Sequence, residues 1–384
     1  MGMLAQYSGM QSLLSHVGFL GGDLILMFHR VLPDHQAAEC FDPHLVLSEP
    51  GFVELLEILG NEYRLASLAE IVAPGVEKAF KPRVVLTFDD GWEDTYRVAF
   101  PHLRRLNVPA TVFICTNLID TNRLLPEERL ARIWRHAEKT GQMEEFHKNL
   151  TTWGLPQAAT DRSRLHAVKR VPNAHKLVML SVLEQLHDVP APSKRRFLTW
   201  PEIYEMAAQG IIDFGSHSAS HVSLTAEPDE LVYADLQQSI RSMTQQMGKA
   251  PAWLAYPNGL VDRFVVEAAR QLGFMGAVST RRGGMLHSQI RNAQSGAGTE
   301  LNQFVLPRCN MENSCVATPS RRCDPSRLAL YFAKHTWPIH YELPVRTQVR
   351  SASLNTRAEP VVIDREHENN SRTIPNAKER CRQR

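Results

Sequence analysis

Two short stretches of this chain carry side chains that could do hydrolytic chemistry together. Asp89 and Asp90 stand side by side at the end of the run Val84-Val85-Leu86-Thr87-Phe88, just ahead of Gly91 and Trp92. Adjacent carboxylates repel, and each is costly to bury unpaired, so a pair closing an apolar run points to a cation beside it. Asp-Gly is also a common turn dipeptide, and the pair alone divides about evenly between turn and site. His217 and His221 are spaced i, i+4, which on a helical turn places both imidazoles on one face, where a single metal ion can be held. With 16 histidines in 384 residues, about 0.7 such pairs arise by chance, so the spacing counts only with its position. Two imidazoles and one carboxylate with open positions make a catalytic zinc-type or ferrous-type centre. The second carboxylate is then free to act as a base toward water. His29, after another apolar run, is a candidate proton donor to a leaving group. Its competing role is a core histidine bonded to a backbone carbonyl.

The elements that must position these groups read as strands and helices in alternation. Residues 23–28, 84–88, 109–115, 211–215, 253–255 and 274–279 have strand character, with a last short run at 303–306. Helical periodicity falls at 50–59, 67–71, 94–106, 200–209, 229–247 and 262–272. Strand, helix and strand within about thirty residues make a βαβ unit and imply a parallel sheet. About seven strands alternating with helices suggest a barrel or a doubly wound sheet, in which ligands bind at the C-terminal strand ends. His29, Asp89, Asp90 and His217 all follow such ends.

The pattern changes between 120 and 196, which reads as a helical insertion. The expected organisation is an N-terminal arm at 1–22, a catalytic-type domain over 23–315 with its insertion at about 120–198, and a polar extension over 316–384. A helix at 327–334 is expected in that extension, and the rest is expected to be largely disordered.

Composition excludes some classes. Lys plus Arg number 43 against 41 Asp plus Glu, a net charge of +2, so no bulk charge points to nucleic acid or an anionic membrane. The six cysteines form no C-x-x-C pair, which argues against a zinc ribbon and a dense disulfide framework and fits a reducing compartment. The sequence shows no clear signal peptide and no run long enough to span a bilayer, so a cytoplasmic location is favoured.

Three ordered motifs carry a resemblance. Thr87-Phe88-Asp89-Asp90-Gly91, then Gly215-Ser216-His217-Ser218-Ala219-Ser220-His221, then Ala255-Tyr256-Pro257-Asn258-Gly259 resemble those of the polysaccharide deacetylases, the NodB-like carbohydrate esterases of family four. Pro109-Ala110-Thr111-Val112-Phe113 is similar to the strand that follows the first motif. The resemblance covers about residues 24–310, interrupted by the insertion. It implies a distorted (β/α)7 barrel and the metal-dependent removal of N-acetyl groups from amino sugars of a glycan. The implied cofactor is one divalent metal, Zn2+ before Co2+, Ni2+ or Mn2+. By motif, Asp89 would be the catalytic base, Asp90, His217 and His221 the metal ligands, and Tyr256 an oxyanion donor through its backbone N–H. The arginine that usually precedes the third motif's proline is replaced by Ala255-Tyr256, and no downstream Leu-x-His motif supplies the usual acid. Leu26-Met27-Phe28-His29-Arg30-Val31 matches the poly-N-acetylglucosamine-type subset, whose acid histidine lies on an N-terminal strand, so His29 is assigned that role. Arg308 is the candidate replacement for the missing arginine, with a surface position as the alternative. Trp92 and Trp253 are candidates for stacking on a sugar ring, though burial is the commoner fate of such residues. Two other outcomes compatible with the motifs are hydrolysis of a non-sugar C–N bond and a glycan-binding pseudoenzyme. A ferrous oxygenase with the same ligand triad is disfavoured, because that chemistry normally sits on a double-sheet jelly roll.

Overall fold

The computed structural model describes residues 22–37, 40–73, 82–155, 165, 167–281, 285–286, 302–318, 320–335 and 343–344. Seven parallel strands form its centre: β1 (Gly22–Phe28), β2 (Arg83–Phe88), β3 (Ala110–Ile114), β4 (Ile212–Ser216), β5 (Trp253–Ala255), β6 (Gly276–Val278) and β7 (Cys309–Asn310). Strands β1 to β6 are neighbours in chain order, and β7 returns to pair with β1, Leu26 opposite Cys309. Leu306 makes a parallel bridge to Val278 on β6. Residues 306–310 therefore cross from the last strand to the first and close the sheet into a distorted (β/α)7 barrel.

Apolar side chains run through the strands because both faces are covered. Leu24, Leu26, Val84, Leu86 and Val112 pack on the surrounding helices, whereas Ile25, Val85, Phe113 and Trp253 form a second cluster. Between β1 and β2 lies a helix over Glu49–Glu62, capped by the Ser48 hydroxyl and burying Phe52, Leu55, Leu56 and Leu59. Ser67 caps the next short helix, Leu68–Val72, in a reciprocal box with Glu70. The expected helix over 94–106 opens instead as a π turn, Thr95–Ala99, and becomes α only over Phe100–Leu106. Pro101 lacks an N–H for the ladder, which favours such an irregular turn. The predicted strand at 303–306 is a 3-10 turn, Asn302–Phe304, followed by the Leu306 bridge.

The insertion has its own core. Helices Pro126–Thr140, Met143–Thr152 and Asn173–Leu186 bury Leu130, Ile133, Phe146, Leu150, Leu180 and Leu183 together. Its return segment is pinned over the Asp89-Asp90 turn: Leu198 N–H donates to the Gly91 carbonyl at 2.8 Å, and Glu93 N–H to the Arg196 carbonyl at 2.8 Å.

Beyond 315, the helix Pro325–His335 packs Leu328, Tyr331 and Phe332 into the main core. Ordered packing thus continues past the expected start of the polar extension. Of the arm expected at 1–22, only Gly22 is described, and it begins β1; residues 1–21 and the tail beyond 344 lie outside the described residues. Among the described residues, no helix is long and apolar enough to cross a membrane.

Candidate active site at the C-terminal strand ends

Strand β2 delivers Asp89 and Asp90 to the barrel mouth, and β4 delivers His217. Asp90 has φ +73° and Gly91 φ +78°, so the chain turns sharply and the two carboxylates point to different partners. An aspartate tolerates the left-handed region better than most residues, and glycine occupies it without steric cost.

Asp90 Oδ1 lies 3.2 Å from His217 Nε2 and 3.3 Å from His221 Nε2. One ligand atom from each of the three residues lies within 4.8 Å of the other two. The donor set fits a divalent cation by its chemistry. His217 Nδ1–H donates to the Ala255 carbonyl at 2.8 Å, which leaves the Nε2 lone pair directed at the cluster, as ligating histidines require. Asp90 Oδ2 accepts from the Trp92 indole N–H at 2.8 Å, while Oδ1 is buried without a hydrogen-bond partner. A buried carboxylate oxygen facing two imidazole nitrogens has the chemistry of a divalent-cation donor set. The histidines do not share a helical face as the spacing predicts. They sit in a loop in which Ser218 and His221 adopt φ of +62° and +54°, and those left-handed residues turn both rings toward Asp90.

Asp89 faces the other way, into Arg308. The guanidinium makes two 2.7 Å bonds to its carboxylate, one to each oxygen, and also donates to Thr87 Oγ1 at 3.1 Å and to the Ser279 carbonyl at 2.9 Å. Arg308 is fully buried, so the surface alternative does not hold. Burial would raise the Asp89 carboxyl, but the charges of Arg308 and His217 outweigh it and hold the group below the usual carboxylate range.

His29 leaves β1 at the same mouth. Its Nδ1 is buried with no hydrogen-bond partner. Burial lowers its basicity and outweighs the opposing pull of Asp90 and Asp89, so it is neutral at pH 7. No carbonyl bond of the kind a core histidine would make is present at that nitrogen.

Two sequence-stated roles are corrected by the contacts. The Tyr256 backbone N–H donates to the Val278 carbonyl at 3.2 Å and its hydroxyl to the Phe304 carbonyl at 2.9 Å, with the side chain fully buried. Neither group is free for an oxyanion. Trp92 is fully buried, stacked on Phe197 at 4.7 Å and covered by the Arg30 guanidinium at 4.5 Å. It orients Asp90 instead of meeting a sugar. Trp253 is likewise buried in the core.

Sequence reasoning missed the Ala255 carbonyl, the Trp92–Asp90 bond and the Arg30–Asp94 clamp. In that clamp, Arg30 donates twice to Asp94 Oδ1, at 2.9 and 2.7 Å, while Asp94 Oδ2 accepts from Val31 N–H at 3.0 Å. Asp94, two residues past Trp92, was the available signal for the last of these, because charged residues next to an apolar turn need partners.

Comparisons with known proteins agree with this fold. The family model for polysaccharide deacetylase matches residues 77–277. A deacetylase from Streptococcus pyogenes, PplD, solved in complex with acetate, superimposes with a TM-score of 0.51 at 17% identity, over 83% of this chain and 99% of that one. A de-N-acetylase from Aggregatibacter actinomycetemcomitans superimposes with a TM-score of 0.50 at 18% identity, over 80% and 98%. At such identities the likeness is one of fold. No curated protein matches the chain.

Proposed function

The chain belongs to the polysaccharide deacetylase family, and from that premise we propose that it is a metal-dependent hydrolase removing N-acetyl groups from amino sugars of a glycan. One observation carries the reading. A carboxylate held ionised by Arg308 stands beside a separate carboxylate and two imidazoles arranged for a cation. A binding module has no need of the first group.

Asp90, His217 and His221 would hold the ion, with zinc preferred over cobalt, nickel or manganese for a site of two nitrogens and one oxygen. Bound there, a divalent cation supplies a Lewis acid for the acetyl carbonyl and lowers the pKa of water. Asp89 takes the proton from the attacking water, its orientation set by the two bonds from Arg308. His29, neutral at rest, would take up a proton and pass it to the departing amine. Trp92 keeps Asp90 in place, and the Ala255 carbonyl keeps His217 in the correct tautomer.

The test is acetate release from N-acetylated oligosaccharides with added divalent cations, alongside elemental analysis. Asp89→Asn is expected to abolish turnover with the cation still bound, and His217→Ala to lose both. A His217→Ala protein that keeps metal and activity would reject the reading.

A further inference from the structure

We propose that the cavity between the insertion and the His221 loop binds an anionic sugar unit, adjacent along the glycan to the N-acetyl sugar that is hydrolysed. This rests on the deacetylase reading above. The cavity measures about 450 Å³, within the range of small-molecule sites. One wall belongs to the barrel. Asn117, just past β3, donates through its side-chain amide to Ser220 Oγ at 2.8 Å, and its carbonyl accepts from Gln238 at 2.8 Å. Ser220 is the neighbour of His221, so this fixed wall begins one residue from the catalytic cluster.

The facing wall comes from the insertion and is cationic. Arg129 is matched by Glu184 through bonds of 2.9 and 2.7 Å and also reaches Ser181, so that pair is internally neutral. Glu184 is the single carboxylate among the lining residues. Arg132 gives one N–H to the Pro190 carbonyl at 2.7 Å. The Arg123 guanidinium is exposed and makes no hydrogen bond or ion pair among the described residues. Neither Arg123 nor Arg132 makes an ion pair among the described residues, although the charge of Arg132 also acts on Glu128, one turn back on the same helix. Leu124 and Leu177 supply apolar surface beside them, and Leu177 is 41% exposed.

A pyranose carrying a carboxylate or phosphate fits both features. Its C–H face covers the leucines, and its anion takes the planar donors that arginine presents to such groups. A neutral chain of N-acetylglucosamine would use the apolar half only.

The experiment compares acetate release from three oligosaccharides of equal length: neutral chitooligosaccharide, an alternating N-acetylglucosamine–glucuronate oligomer, and a phosphate-substituted N-acetylglucosamine oligomer. Each is assayed with the native chain and with the Arg123→Gln/Arg132→Gln double variant. The expected result is a KM at least about tenfold lower for a charged oligomer, the worth of one charge-assisted hydrogen bond. That preference should vanish in the double variant, with kcat and the neutral substrate unaffected. The glucuronate and phosphate arms identify which anion is read. Equal KM values for charged and neutral substrates in the native chain would overturn the proposal and leave the deacetylase reading standing. If no substrate releases acetate, titration calorimetry of the glucuronate and phosphate oligomers on the same full-length proteins decides. Saturable binding of either that is lost in the double variant supports the site, and no binding of either overturns it.

Discussion

At the scale of single residues, the decisive contact is Arg308 on Asp89. The two groups are 219 positions apart in sequence and both are buried. Burial raises the carboxyl, and Arg308 with His217 reverses that effect. A carboxyl depressed in this way is ionised throughout neutral pH, so protonation of Asp89 itself should limit turnover only below the ordinary carboxylate range near ~3.9, after protonation of the histidine ligands has already begun to release the cation. The linkage has the same sign for stability. The contribution of ionised Asp89 is complete above its unfolded value and is lost as pH falls through the folded one. Replacing Arg308 with Met removes the leading cause of the depression. The acid limb of the pH–rate profile should move upward, kcat should fall at neutral pH, and Arg308→Lys should restore part of both. An unmoved acid limb in Arg308→Met would show that the guanidinium does not govern the base.

Elements set the site through how closely strands approach one another. A Cβ on Gly215 of β4 would come within 2.5 Å of the Phe113 ring on β3 and 3.0 Å of the Trp253 carbonyl on β5. Gly215→Ala should therefore cost about 1–3 kcal/mol through overpacking. It should also weaken zinc binding, because a shift of β4 displaces His217. The opposite end of the barrel provides the contrast. Asp23 at the start of β1 and Arg83 at the start of β2 form a fully buried ion pair at 2.6 Å. Asp23→Asn leaves Arg83 uncompensated and should cost about 3–5 kcal/mol with zinc affinity unchanged. Urea unfolding of the apo proteins and zinc titration measure both quantities. Equal zinc affinity in native protein and Gly215→Ala would mean that the close approach does not position the histidine.

For the whole molecule, the candidate ligands join distant parts of the barrel, so an ion held there should stabilise the folded state by mass action. At a hundredfold excess over Kd the gain is about 2.7 kcal/mol. Chelation should lower the melting temperature of the native chain, zinc should restore it, and Asp90→Asn should respond to neither. Identical melting with and without chelator would remove Asp90, His217 and His221 as a ligand set. Much of this arrangement is readable in the residues themselves. Apolar runs ahead of His29, Asp89 and His217 specify buried parallel strands, and alternation with helices specifies that their C-terminal ends share one mouth. Chemically distinctive side chains at those ends then name the reaction class. Closure of the barrel is not readable, because Leu306-Pro307-Arg308-Cys309-Asn310 has no apolar periodicity and the strand it forms is two residues long. Nor are the roles of Trp92 and Tyr256, since an aromatic reads as sugar-binding until its partner is known, whereas Arg308 is named as a candidate through the family resemblance and the structure supplies its partner, Asp89. Local pattern determines what each segment becomes and which groups reach the mouth. Tertiary structure alone decides which of them face each other, because pairings across hundreds of residues depend on how the chain closes and not on any spacing within it.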